Sequence, residues 1–172
     1  MNAEAYVGFG ANLGKPDQTF AQACELLKEF AELLGFSKLY RSKPYGFADQ
    51  PSFVNAAAHI RTNLPATELL TKLQETERIL GKKVIRENGP RVIDLDLLLY
   101  EDLVLDTNEL QLPHPGILER DFVLRPLLDL NPDLTHPSWL GKTLQEALKE
   151  IETSFLLEKG DEPLGTSHDS QP

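Results

Sequence analysis

A single cysteine, Cys24, stands in 172 residues. One thiol cannot close an internal disulfide, which fits a reducing compartment and the expectation of a cytoplasmic protein. Cys24 lies on an apolar helical stripe and reads as packing rather than as a nucleophile. Long apolar runs are missing too, so no membrane span is expected, and Met1 to Gly10 lacks the basic, apolar and small-residue succession of a secretion signal. Positive charge is scarce: 17 Lys and Arg face 27 Asp and Glu, a net charge of -10. That balance argues against nucleic acid or an anionic membrane as a partner. A small anionic substrate needs only a local basic pocket, and Lys82, Lys83, Arg86 and Arg91 supply one against the single acid Glu87.

What is there centres on the stretch from Asn88 to Tyr100. It opens as a Gly-Pro turn and becomes, from Val92, an almost wholly aliphatic run that reads as a strand buried on both faces. Asp94 and Asp96 interrupt it two positions apart, and strand alternation puts both carboxylates on one face. Like charges side by side in an apolar setting require a cation, and Mg2+ suits one or two carboxylates together with substrate phosphates. Asp94 and Asp96 are therefore the candidate metal ligands, and Arg91 with the basic loop before it suits a polyphosphate.

Around this run the chain alternates. Ala5 to Gly10 reads as a first strand, and Gly8, Gly10 and Gly14 as its tight, closely packed exit. The glycine spacing does not match the dinucleotide-binding pattern. A helix starting at Pro16 carries Phe20, Cys24, Leu27, Ala31 and Leu34 on one face and is ended by Gly35. Phe36 to Ser42 is a second strand, and the turn-rich loop from Lys43 to Phe47 follows. Phe53 to Thr62 is a third strand with Val54, Ala56, Ala58 and Ile60 on one face. Its other face carries Phe53 and Asn55, either as core and a strand-end hydrogen bonder or as a platform and reader for a flat heteroaromatic ligand.

Pro65 to Leu80 is a helix closed by Gly81; its stripe of Leu70, Gln74 and Glu77 is either the edge of the buried face or the border of a pocket. Glu101 and Asp102 form a turn into an outer hairpin strand, Leu103 to Leu105. His114 stands between Pro113 and Pro115, which fix it either as a turn residue or as a placed titratable group. A short helix near Leu124 to Leu130 and a last helix with a capping box of Thr143 and Glu146 complete the domain. Residues 1–158 are expected to form one domain and 159–172 a disordered tail. The order fits an α+β protein: a ferredoxin-like, three-layer α-β-α sandwich on a mainly antiparallel sheet.

Asn88-Gly89-Pro90-Arg91-x-x-Asp94-Leu-Asp96-Leu-Leu, Pro113-His114-Pro115 and Arg120-x-Phe122 together resemble the 6-hydroxymethyl-7,8-dihydropterin pyrophosphokinases of folate biosynthesis. So do Gly8-Phe-Gly10-Ala-Asn12-Leu, Tyr40-Arg41-Ser42-x-Pro44-x-Gly46 and Gln50-Pro51-x-Phe53-x-Asn55-Ala56; the resemblance spans about residues 5–140. It implies transfer of a diphosphoryl group from MgATP to the pterin hydroxymethyl oxygen, with two Mg2+ ions on Asp94 and Asp96. ATP would meet Leu70, Gln74, Glu77, Arg91, Leu97, His114 and Arg120. Phe53 and Phe122 would sandwich the pterin, and Ser42, Pro44, Tyr45 and Asn55 would line its edge. Lys82 and Arg86 would join Arg91 in the catalytic loop.

That loop departs from the family pattern. Many members carry Arg-x-Arg and then a basic residue and Trp before Gly-Pro-Arg. Here Lys82-Lys83-Val84-Ile85-Arg86-Glu87-Asn88 is one residue shorter, with point-charge lysines in place of bidentate arginines. A looser triphosphate clamp follows, and the lid that the Trp offers the pterin is missing. A monomer acting on small molecules is expected. The rival readings are a non-catalytic ferredoxin-like module that binds a small ligand and regulates a partner, or a different Asp-x-Asp metal enzyme such as a nucleotidyl- or glycosyltransferase.

Overall fold

The computed structural model describes residues 2–44, 49–82 and 90–163, of which 158–163 by backbone alone. Five antiparallel strands follow one another across the main sheet. Strands β1 (Ala3–Ala11), β3 (Lys38–Ser42), β4 (Phe53–Thr62), β5 (Asp94–Tyr100) and β8 (Leu156–Pro163) lie in the order β5-β1-β4-β3-β8. Strand β2 (Glu32–Phe36) also pairs with β4, beside Ala58 to Arg61, while β3 takes the Phe53 to Asn55 end. Together β2 and β3 thus extend one edge of β4. A separate ribbon, β6 (Leu105–Asp106) and β7 (Gln111–Leu112), lies off this sheet.

Helices cover both faces. On one, α1 (Pro16–Leu27) and α2 (Ala66–Ile79) bury Phe20, Leu27, Leu69 and Leu73 against Val7, Phe9 and Ile60. Phe9 meets Phe20 and Phe36 edge to face, with ring centroids 5.3 and 5.0 Å apart. On the other, α3 (Asp121–Leu130) and α4 (Leu144–Glu150) bury Leu124, Leu127 and Leu144 against Tyr6, Ala57 and Leu99. The capping box of Thr143 and Glu146 starts α4. This is the expected α+β, ferredoxin-like sandwich in three layers. Among the described residues no helix is long and apolar enough to cross a membrane.

Several local expectations need correction. Helix α1 stops at Leu27, and Ala31 and Leu34 belong to the turn and strand that follow. A register shift between Leu33 and Gly35 breaks strict alternation in β2, which is how its apolar residues came to look like another helical turn. Gly8 and Gly10 lie inside β1 rather than in its exit; Gly14, at φ 68°, makes that turn. Strand β5 begins at Asp94, and its carboxylate-bearing face is open rather than buried. Leu103 to Leu105 does not return along β5, because Glu101 N–H bonds the Glu4 carbonyl at 2.9 Å and the chain leaves the sheet edge there. Strand β8 runs from Leu156 to Pro163, so the segment expected as tail begins with a strand.

Candidate active site

The cleft of about 180 Å3 opens where β1, β4 and β5 face the start of α3. Its floor is made by missing side chains. Gly8 pairs with Asp96 and Ala57, and Gly10 with Asp94 and Asn55, so the two carboxylates and the Asn55 amide flank bare backbone on one face. A Cβ on Gly8 would approach Leu98 Cδ1 to 3.3 Å, and one on Gly10 would sit 3.6 Å from Asn55 Oδ1. The expected close backbone packing is therefore present, at a site rather than a turn.

Charge concentrates at the β5 edge. Gly81, at φ 95°, closes α2 in the left-handed conformation, and Lys82 N–H then returns to the Glu77 carbonyl at 3.0 Å. The Lys82 ammonium reaches Asp94 Oδ1 at 2.8 Å and Glu77 Oε2 at 3.2 Å. Glu77 is buried and also accepts the Leu95 N–H at 2.6 Å. Burial pushes the Glu77 carboxyl up; for Lys82, burial pulls the pKa down but Asp94 and Glu77 outweigh it, so its pKa is raised. Asp96 lines the cleft. The protein packed around it, which limits its hydration, and then the charges of Asp94 and Glu77 push its carboxyl up to about 7. The pair therefore calls for positive charge. Among the described residues no cluster of three or more His, Cys, Asp or Glu is placed to hold a metal. Two carboxylates facing an open cleft nevertheless fit Mg2+, which completes its shell with water and phosphate oxygens.

Basic and neutral donors complete this end. Arg91 Nε lies 3.7 Å from Asp94 Oδ1, and Nη1 donates to the Pro90 carbonyl at 3.2 Å. His114 N–H bonds the Leu98 carbonyl at 2.9 Å, which ties the Pro-His-Pro turn to β5. Burial and then the Arg120 charge hold the His114 pKa below its ordinary value. Arg120 lies against Gly116, where an added Cβ would come within 3.1 Å of Arg120 Cδ, Nε and Cζ. A side chain at Gly116 would require the guanidinium to give by a few tenths of an ångström.

Aromatic groups line the same cleft. Phe53 and Phe122 are among them, and Asn55 Nδ2 donates to Ser42 Oγ at 2.7 Å, leaving the Asn55 oxygen to accept from a ligand. Lys43 also lines the cleft, which the sequence reading missed. It missed Asn12 as well. Buried Asn12 donates from Nδ2 to Gln50 Oε1 at 2.8 Å and to the Pro51 carbonyl at 2.9 Å, and its Oδ1 accepts the Arg91 N–H at 2.9 Å. One amide thus ties both cleft loops to the end of β1.

Of the expected residues, Ser42, Phe53, Asn55, Arg91, Asp94, Asp96, His114, Arg120 and Phe122 line one cleft. Lys82 adjoins it through Asp94, and Glu77 through Lys82. Pro44, Leu70 and Gln74 are not among the lining residues, and Gln74 is exposed on α2. Leu97 is not among the lining residues either; alternation along β5 turns its side chain into the core on the α1 and α2 face of the sheet. Tyr45 and Arg86 lie outside the described residues.

Paired carboxylates, basic groups, aromatic rings and an amide in one cleft of a three-layer α+β sandwich are the make-up of a phosphoryl-transfer enzyme. A family model described as 7,8-dihydro-6-hydroxymethylpterin-pyrophosphokinase matches residues 6–132. The 2-amino-4-hydroxy-6-hydroxymethyldihydropteridine pyrophosphokinase of Aquifex aeolicus is 41% identical over 144 residues, covering 84% of this chain and 89% of that enzyme. The folic acid synthesis protein fol1 of Schizosaccharomyces pombe is 42% identical over 152 residues, or 87% of this chain but 21% of that protein. The chain thus spans about a fifth of that longer relative. Among solved structures, Plasmodium falciparum HPPK-DHPS with pteroate aligns at TM-score 0.68 and 15% identity, covering 87% of this chain and 42% of that one, which is a likeness of fold. The chain belongs to the 7,8-dihydro-6-hydroxymethylpterin-pyrophosphokinase family, and membership of this family of ATP-dependent folate-pathway enzymes displaces the regulatory-module reading.

Proposed function

We propose that this chain transfers the β,γ-diphosphoryl group of MgATP to the hydroxymethyl oxygen of 6-hydroxymethyl-7,8-dihydropterin, giving AMP and the pterin diphosphate. The observation that carries the reading is the single cleft that brings Asp94, Asp96, Arg91, His114 and Arg120 together with Phe53, Asn55 and Phe122. The pterin stacks between Phe53 and Phe122, and Asn55 with Ser42 reads its polar edge. This holds the hydroxymethyl oxygen toward the phosphates, so attack at the β-phosphorus is in line and effectively unimolecular. Arg91, Arg120 and Lys82 offset the triphosphate charge, and His114 donates a neutral hydrogen bond to it. Asp94 and Asp96 would hold two Mg2+ ions, which would supply positive charge against the triphosphate. The chain works as a monomer on small molecules, and the lone buried Cys24 supports a reducing, cytoplasmic setting.

The test is AMP formation from MgATP with and without the pterin, for the native chain and Asp96→Ala. AMP should require pterin and fall about 100-fold or more in the variant, the scale for loss of a group that stabilises transition-state charge. A folded native chain that releases no pterin-dependent AMP would overturn the reading.

A further inference from the structure

One buried carboxylate is used neither for phosphate nor for metal. Asp121, at the first turn of α3, is 3% exposed and lies next to Phe122, the outer face of the proposed pterin sandwich. It has no cation within ion-pair distance among the described residues. Instead it accepts Ser154 Oγ–H at 2.6 Å, Phe155 N–H at 3.1 Å and Leu156 N–H at 3.4 Å. Successive chain N–H groups and the α3 N-terminus stabilise a carboxylate there without a counter-ion.

What those bonds hold is Phe155. Its carbonyl accepts the Lys43 N–H at 2.7 Å, its ring meets Phe122 edge to face with centroids 5.9 Å apart at 69°, and Lys43 Nζ stands 5.7 Å from its centroid. Lys43, just after β3, and Phe122, in α3, both line the cleft. Phe155 is therefore fastened to both, and it comes from a segment beyond residue 132, where the family match stops.

We propose that Asp121 and Phe155 form a latch that fixes the Phe122 ring for the pterin, making both positioning residues of the pterin site. The inference rests on the function proposed above. Edge-to-face support limits the Phe122 ring to the orientation its neighbour allows, and a preoriented ring binds a flat ligand with less ordering to lose. A latch that only tied down the C-terminal segment would affect stability and both substrates alike.

The experiment uses the full chain and compares KM for pterin with KM for ATP. Phe155→Ala should raise the pterin KM about five- to tenfold, the scale of one aromatic pair, with the ATP KM within about twofold. Phe155→Tyr, which keeps the ring, should restore it, and Asp121→Ala should follow Phe155→Ala. Phe155→Leu keeps the apolar bulk and removes the ring, and it replaces Phe155→Ala should that variant unfold. An unchanged pterin KM in a folded ring-less variant, or equal rises for both substrates, overturns the latch. A native chain without pterin-dependent AMP overturns the functional reading itself, so the two failures are distinguishable.

Discussion

Gly116 N–H donates to His114 Nδ1 at 3.0 Å, which places the proton of the neutral imidazole on Nε2. Burial and then Arg120 depress the pKa from 6.5, so His114 is a neutral hydrogen-bond donor at pH 7. The sign of the linkage follows. As pH falls below 6.5, unfolded His114 binds a proton before the folded one does, so its contribution to stability is intact above that value and is lost progressively down to the folded pKa. His114→Gln removes this penalty. The Tm difference between native chain and variant, by calorimetry without ligands, should therefore shift in the variant's favour from pH 7 to pH 5. A pH-independent difference would show that the ring is not held neutral. The role of His114 was visible in the sequence because prolines on both sides restrict it. Asp94 and Asp96 were visible because charge inside an aliphatic strand needs a reason. Gly116, Lys43 and Asp121 were not, since each acts only through a partner that the fold brings to it.

Between elements the same distinction holds. Helices α1 and α2 were legible from apolar stripes and punctuation by Pro16 and Gly81, and β4 from its two distinct faces. Strand β2 was hidden by its irregular register, and β6 by its pairing with β7, since no local pattern names a strand's partner. Asn12 belongs to this scale because it joins elements distant in sequence: Gln50 and Pro51 after the first half of the cleft, and Arg91 before β5. Asn12→Ala leaves the Arg91 N–H and the Pro51 carbonyl without this partner in a half-buried setting, at a cost of about 1–3 kcal/mol. It also loosens the backbone that aims Arg91, which keeps the Asn12 and Leu13 N–H bonds to its carbonyl at 3.0 and 3.2 Å, so the ATP KM should rise as Tm falls. Asn12→Asp keeps the acceptor for Arg91 and loses the donor to the other loop, so it should spare ATP binding more than Asn12→Ala does. Unfolding and steady-state kinetics check both. Wild-type stability together with an unchanged ATP KM in Asn12→Ala would mean the loops are placed by other contacts.

Across the whole molecule, one sheet serves two cores, and each contains a residue type that occurs once in the chain. Cys24 packs with α1 and α2, and Trp139 with α3 and α4 on the opposite face. Burial pushes the Cys24 thiol up to about 12, so it stays protonated and unreactive while its layer is folded. Trp139 is 8% exposed, and its emission should report the other layer. Neither helical layer can keep its apolar face buried once the sheet is lost, because β1 and β4 supply side chains to both cores. Unfolding should then be all-or-none. In denaturant, Cys24 modification by a thiol reagent and Trp139 fluorescence should give the same midpoint, and MgATP should move both together, by the amount its affinity for the native state sets. Separate midpoints would mean that the layers open independently, and residues 1–158 would not act as the one cooperative domain proposed from the sequence.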